Sequence, residues 1–381
     1  MKILTWAQRK LGDIANVDSS KRIHRSEYTK EGIPFFRGSE ITDRKISNLI
    51  YISKKKYNEI KNQYGVPKPG DLLITAVGTI GNIWKVDNTS FYYKDGNLIH
   101  INPKCIDEDY LVYYFQFLKY KKIIDRVASG SNQKALTIIK VQNLKIKYPQ
   151  KEGQSLIGVL LKKTENLIAL QQRKLQQLKL LKKAMLQDLF TDKNVPKLRF
   201  NGFDANWIQC KLEKEALLTM GQSPSGSTYS DQPSTYILVQ GNADLKNGWV
   251  KPRIWTTQIT KLAKKGDIII TVRAPAGKVG RTNFDVVLGR GVASIQGNDF
   301  IFYLLSKMDM NKYWKKYAAG STFESINSND IKNTRVHVPN LLEQNRIANL
   351  FLRLDDLIRF QQNKLNNLQK TKQFLFQNMF I

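Results

Sequence analysis

The chain has 381 residues, enough for two or three domains that each bury a core of their own. Apolar residues make up 41% of it, which excludes a disordered basic tail, and no stretch approaches the ~18 apolar residues of a membrane span. Lys and Arg exceed Asp and Glu by 29, more than solubility needs, so a polyanion such as nucleic acid is the expected partner, although a lysine-rich proteome gives the same excess.

In chain order, residues 1–150 read as a first globular module that opens on Trp6-Ala-Gln-Arg-Lys-Leu11. Gly70-Asp-Leu-Leu-Ile-Thr75 is a turn feeding a short buried strand, Leu98–Ile101 is a second strand, and Tyr110–Val127 is a helix with an aromatic face. Residues 151–192 form a long helix with a heptad seam of Ile157, Leu161, Thr164, Ile168, Gln171, Leu175, Leu178, Lys182, Met185 and Leu189. Pro196 ends it, and Val195-Pro-Lys-Leu-Arg-Phe-Asn-Gly-Phe203 is an extended entry linker within 193–206. The second module, 193–340, opens on Trp207-Ile-Gln-Cys-Lys-Leu212 and repeats the buried strand as Gly266-Asp-Ile-Ile-Ile-Thr271. Tyr236–Val239 is another strand and Phe300–Tyr317 another helix. Residues 341–381 close with a second seam of Ile347, Phe351, Leu354, Ile358, Gln361, Leu365, Leu368, Lys372, Leu375 and Met379.

The chain therefore contains its own second copy. Residues 109–190 align with 299–380 at a constant offset of 190, without a gap. Seam glutamines and lysines recur in register (Gln171 with Gln361, Lys182 with Lys372), so each helix has the other as its natural partner. A compact domain between the helices returns the chain near its departure point, which makes the pair antiparallel, with a module at each end and a pseudo-two-fold axis across the coil. The fold class is α+β, two tandem mixed modules with an intramolecular coiled coil of ~54 Å. From Gly70 to Gly81 the spacing is 11 and from Gly266 to Gly280 it is 14, which predicts three extra residues in the second loop. Divergent loops on a shared scaffold suggest two sites reading two targets.

The doubled order, the paired Trp-x-Gln-x-Lys-Leu openings, the twin Gly-Asp strands, the Gly130-Ser131 and Gly320-Ser321 turns and the helices ending at Phe190 and Phe380 resemble the specificity subunit of type I restriction-modification systems over essentially the whole chain. The resemblance implies that each module is a target recognition domain for one half of a split, asymmetric sequence in double-stranded DNA. It implies that the helices fix their separation and dock two methyltransferase (modification) subunits, which restriction/translocase subunits join. S-adenosylmethionine, ATP and Mg would then belong to those partners, and this chain would be a non-catalytic reader with no cofactor or metal of its own. No methylation motif or phosphate loop is present, and His24, His100 and His337 are scattered and read as surface or packing residues. Two unrelated cysteines and the lack of a signal-peptide core fit the cytoplasm, with no membrane.

Phosphate contacts need exposed cations, and base edges favour Arg, Lys, Asn and Gln. The DNA-binding candidates in the first module are Lys54, Lys55, Lys56, Thr79, Asn82, Lys94, Asn97, Ser131, Asn132 and Lys134. In the second they are Lys264, Lys265, Arg273, Lys278, Arg281, Arg290, Ser321 and Thr322. An RNA- or polyanion-binding coiled-coil scaffold, and an enzyme with an unfamiliar site, are the alternatives at this stage.

Overall fold

The computed structural model describes residues 6–43, 49–128, 134–318 and 325–380. It divides into a first unit, residues 1–172 with 364–381, and a second unit, residues 173–363. In the first unit one antiparallel sheet runs Ala15–Asp18, Leu98–Pro103, Leu72–Thr75, Ile83–Lys85. The other runs Tyr28–Thr29, Ile50–Ile52, Ile33–Phe36, Tyr92–Tyr93, and its last pair is parallel.

Leu72–Thr75 explains why its sequence is apolar throughout instead of alternating. Leu72 and Ile74 face one core beside the helix Glu108–Tyr120, while Leu73 faces a second core with Phe35, Phe91 and Tyr92. A strand covered on both faces has no polar side to show. The second unit repeats the arrangement: Ile268 and Ile270 enter one core and Ile269 the other. Its sheets keep the same order, Leu217–Met220, Val292–Gln296, Ile268–Thr271, Val279–Arg281 and Tyr229–Ser230, Ile254–Thr256, Tyr236–Val239, Val286–Leu288, with extra strands at the edges.

The helices predicted over Tyr110–Val127 and Phe300–Tyr317 each form in two pieces, Glu108–Tyr120 with Ile123–Val127, and Asp299–Met310 with Lys315–Ala318. Lys122 and Lys312 both take a left-handed φ of 57°, which stops the first piece where the sequence offers no Gly or Pro as a signal. Asp107 and Asn298 cap the two helices, their side chains accepting from the amides of Tyr110 and Ile301.

The long helices span Lys151–Leu189 and Leu341–Asn378, and every seam position predicted from the heptads is buried or half-buried. Gln154 and Gln344 clamp their starts. Each Nε2 donates to the carbonyl of the preceding proline, Pro149 or Pro339, and each Oε1 accepts from a helix cap, Asp107 N or Asn298 Nδ2.

Each unit joins a stretch of both helices, running antiparallel. In the first unit Lys372 pairs with Glu165 at 2.6 Å, and Tyr113 Oη donates to the same carboxylate at 2.9 Å. Eight residues on, Phe380 packs among Tyr110, Tyr114 and Phe117, in one core with Ile157 and Leu161. The second unit carries the equivalent set: Lys182 pairs with Asp355, Tyr303 Oη donates to Asp355, and Phe190 packs at a tilt against Phe300 and Phe351. The seam lysines thus have named carboxylates, and the last ring of each helix completes a core built by the other repeat.

The linker is docked rather than loose. Arg199 holds the fully buried Glu343 at 2.8 Å, Trp207 Nε1 donates to the same carboxylate, and Leu198 N donates to Asp188 O.

Candidate nucleic-acid interface

The loop after each buried strand is built by one threonine. Thr75 Oγ donates to Thr79 O and accepts from Asn82 N, while Gly81 N donates to Thr75 O. Thr271 makes the same three bonds, to Pro275 O, from Lys278 N and from Gly277 N. The strand registers agree: Leu72 pairs with Lys85 and Ile268 with Arg281. The loops are therefore equal in length, and Gly81 corresponds to Gly277, not Gly280. The three extra residues expected from glycine spacing do not exist; Gly280 is an ordinary strand residue, whereas Gly81 and Gly277 share a left-handed φ of 79° and 85°.

That equivalence reassigns Arg281. It occupies the place of Lys85, which bonds Asp109 at 2.7 Å, and it is itself paired with Asp299, its side chain 14% exposed and its guanidinium 4.4 Å from the Phe302 ring centre. In the free chain Arg281 ties sheet to helix. Lys278 pairs with Asp309, Lys264 with Asp285, and Lys56 with Glu27. Asn82 is hydrogen-bonded to Lys119, so it also helps pin its loop to the helix.

Arg273 and Arg290 come together. They line an open depression of about 390 Å³ with Ser223, Gln240, Gly241, Ala274 and Gly291. In the first unit the corresponding turns carry Lys94 and Asn97, where Lys94 N donates to Phe36 O and Asn97 O accepts from Ala76 N; the second unit has Gly289 N on Val239 O and Gly291 O from Val272 N. Thr79, Lys54, Lys55, Lys134 and Lys265 are exposed; the two lysines 54 and 55 open the helix Lys54–Gln63, away from these turns in sequence. Ser131, Asn132, Ser321 and Thr322 lie outside the described residues.

Within the surface or packing role expected of it, His100 is a largely buried structural residue held by ion pairs. Its ring sits between Asp18 and Asp71, 2.8 Å from each carboxylate, and Asn102 also donates to Asp71. Burial disfavours the imidazolium, but the two carboxylate hydrogen bonds outweigh it and push the pKa up to about 9. Burial likewise opposes ionised Asp71, and bonds from His100, Lys68 N and Asn102 hold its pKa below the usual carboxylate range. The charged trio stitches three strand segments together. Among the described residues no group of His, Cys, Asp and Glu could hold a metal ion.

The profile of the "Type I restriction modification DNA specificity domain" matches residues 3–180 and 219–370. The chain is a member of the type I restriction-modification DNA specificity family. It is 29% identical, over 96% of its length and 91% of the relative's, to a putative type I restriction enzyme MjaX specificity subunit of Methanocaldococcus jannaschii. Its fold is similar to a type I restriction-modification S subunit from M. genitalium, with a TM-score of 0.63, 13% identity and coverage of 100% and 97% of the two chains. A chain from a structural study of complex assembly and conformational transition in a type I R-M system gives a TM-score of 0.60 at 21% identity, over 100% and 99% of the two chains.

Within this specificity-family fold, sequence reasoning missed Ser223 and Gln240 beside the two arginines. Gln240 directly follows the predicted strand Tyr236–Val239, which is the one local signal that could have found it. No helix among the described residues is long and apolar enough to cross a membrane.

Proposed function

We propose that this chain is the DNA-reading subunit of a type I complex, each unit reading one half of a split, asymmetric target and neither doing chemistry itself. The observation that carries this reading is one scaffold used twice with different side chains on the same turns: Lys94 and Asn97 in the first unit, Gly289 to Gly291 around Arg290 in the second. Residues 1–150 and 193–340 would be the readers, and 151–192 and 341–381 the spacer helices.

Exposed apolar side chains support docking of two methyltransferase subunits. Leu167 and Leu170 are 52% and 63% exposed in the first unit, and their counterparts Leu357 and Phe360 are 48% and 62% exposed in the second. Two matching patches suit two copies of one partner. Those subunits would hold S-adenosylmethionine and flip the target adenines, and restriction subunits would bring ATP and Mg. Host DNA in the cytoplasm is the substrate of that assembly.

The test is co-expression with the neighbouring methyltransferase gene and methylation-aware sequencing of host DNA. Methyladenine in one split motif, lost when this chain is omitted, is expected. Unchanged methylation together with no two-to-one complex would refute the reading. Deleting one heptad from both helices should change the spacer and leave both half-sites intact, because groove faces recur every ~34 Å; an unchanged spacer would refute the helices as a ruler.

A further inference from the structure

In the second unit two arginines line one depression just past the end of a strand pair. The ladder ends where Thr271 pairs with Val292, and Val272 N donates to Gly291 O at 2.9 Å; just beyond, Arg273 bridges Ser325 and Arg290 lies in the turn before Val292, so both line one depression. Both side chains are exposed at the depression they line, and neither has an acidic partner among the described residues. Like charges gathered at one depression repel, so this juxtaposition is a cost in the free protein. Three other arginines of the unit are neutralised: Arg281 by Asp299, Arg253 by Asp244, Arg199 by Glu343.

The backbone that presents the pair is held tightly. A Cβ on Gly291 would come within 2.1 Å of Gln240 O, and one on Gly221 within 2.1 Å of Gly289 O. Arg290 N donates to Ser223 Oγ at 3.1 Å, and Arg273 bridges Ser325. The Cα positions are fixed while the guanidiniums stay free, which is the arrangement a reading site needs. Side-chain type points the same way. Lysine outnumbers arginine 45 to 16 in this chain, yet both positions are arginine. A point charge suffices for phosphate, whereas the planar fork matches the O6 and N7 acceptors of guanine.

We propose that Arg273 and Arg290 form a guanine-reading site, so that the half-site read by the second unit contains guanine at the position they contact. In the first unit the equivalent segments, just past Thr75 paired with Leu98 and Ala76 N bonded to Asn97 O, carry Val77 and the turn Lys94 to Asn97, with no arginine. That unit reads its half-site without an arginine pair. This inference rests on the DNA-reading function proposed above.

The test is selection of duplexes from a random library by the full chain in complex with its methyltransferase, as wild type, Arg273→Ala, Arg290→Ala and Arg290→Lys. Wild type should select a split motif with guanine in one half. Each alanine variant should lose about 5- to 150-fold of the preference at that guanine and keep the other half-site unchanged. Arg290→Lys, which retains the charge, should keep overall affinity and lose discrimination. Replacing that guanine with 7-deazaguanine should weaken wild type and not the alanine variants. A uniform loss on all duplexes with both half-sites intact would overturn the proposal in favour of phosphate contact, as would a motif whose affected half lacks guanine. If wild type selects no sequence at all, the DNA-reading function fails and this site with it.

Discussion

Replacing Phe380 with alanine should loosen the first unit and leave the second intact. Phe380 is 5% exposed, its ring centre lying 5.0 Å from Phe117 and 5.6 Å from both Tyr110 and Tyr114. Removing a buried phenylalanine costs about 3–5 kcal/mol, a large share of the 5–15 kcal/mol that holds a domain together. At 1.36 kcal/mol per factor of ten, that raises the opening equilibrium about 100- to 5,000-fold. Native-state hydrogen exchange reads it directly: amides of Leu72–Thr75 should lose protection by that factor, and amides of Ile268–Thr271 should not. Phe190→Ala should do the reverse, since its ring lies 4.9 Å from Phe300 in the second unit. Equal loss in both strands, or loss in neither, would refute the reasoning that each repeat's last ring closes the other repeat's core.

Three further outcomes follow from named contacts. With its folded-state pKa raised to about 9, His100 stabilises the first unit fully below its unfolded value near 6.5, and that contribution, on the order of 2–3 kcal/mol, is lost as pH rises towards 9; His100→Gln should abolish this alkaline slope in urea midpoints measured at pH 6 and 9. Gly277→Ala should cost more than about 1 kcal/mol, because its φ is 85° and the new Cβ would lie 2.2 Å from Trp314 Cδ1, whereas Gly226→Ala, with open space around it, should move the urea midpoint little. Arg281→Ala should destabilise the second unit by about 1–3 kcal/mol through the loss of Asp299 and Phe302, without changing the selected DNA sequence; lost base preference at unchanged stability would return it to the reading surface.

What the sequence reveals here is what periodicity and repetition can carry. The heptad seams are legible because each helix writes its buried face at fixed spacing, and the twin Gly-Asp strands because a doubly covered strand has no polar side. Ring and carboxylate partners are partly legible too, since Tyr113, Glu165 and Lys182 recur as Tyr303, Asp355 and Lys372. Loop chemistry is not. Whether a cation is left free or ties a sheet to a helix depends on tertiary placement, which brings Arg273 and Arg290 to one depression and Arg281 to Asp299 with no local pattern to announce either. Glycine spacing misled for the same reason: Gly280 and Gly277 are three residues apart, and only the ladder shows which one turns. His100 depends on Asp18, 82 residues away.

The interleaving of the units also sets an order of assembly during synthesis. Every residue of the second unit, 173–363, lies inside the interval that separates the two pieces of the first. Domains usually fold in the order in which they leave the ribosome, but here the module made first lacks Phe376 and Phe380 until the segment 364–381 has been translated. At 5–20 residues per second that delay is about 10–40 s, during which the apolar sides of Tyr110, Tyr114 and Phe117 stay uncovered. The N-terminal reader is the last to be finished, and a message cut short anywhere within the second helix releases a chain whose first module never closes.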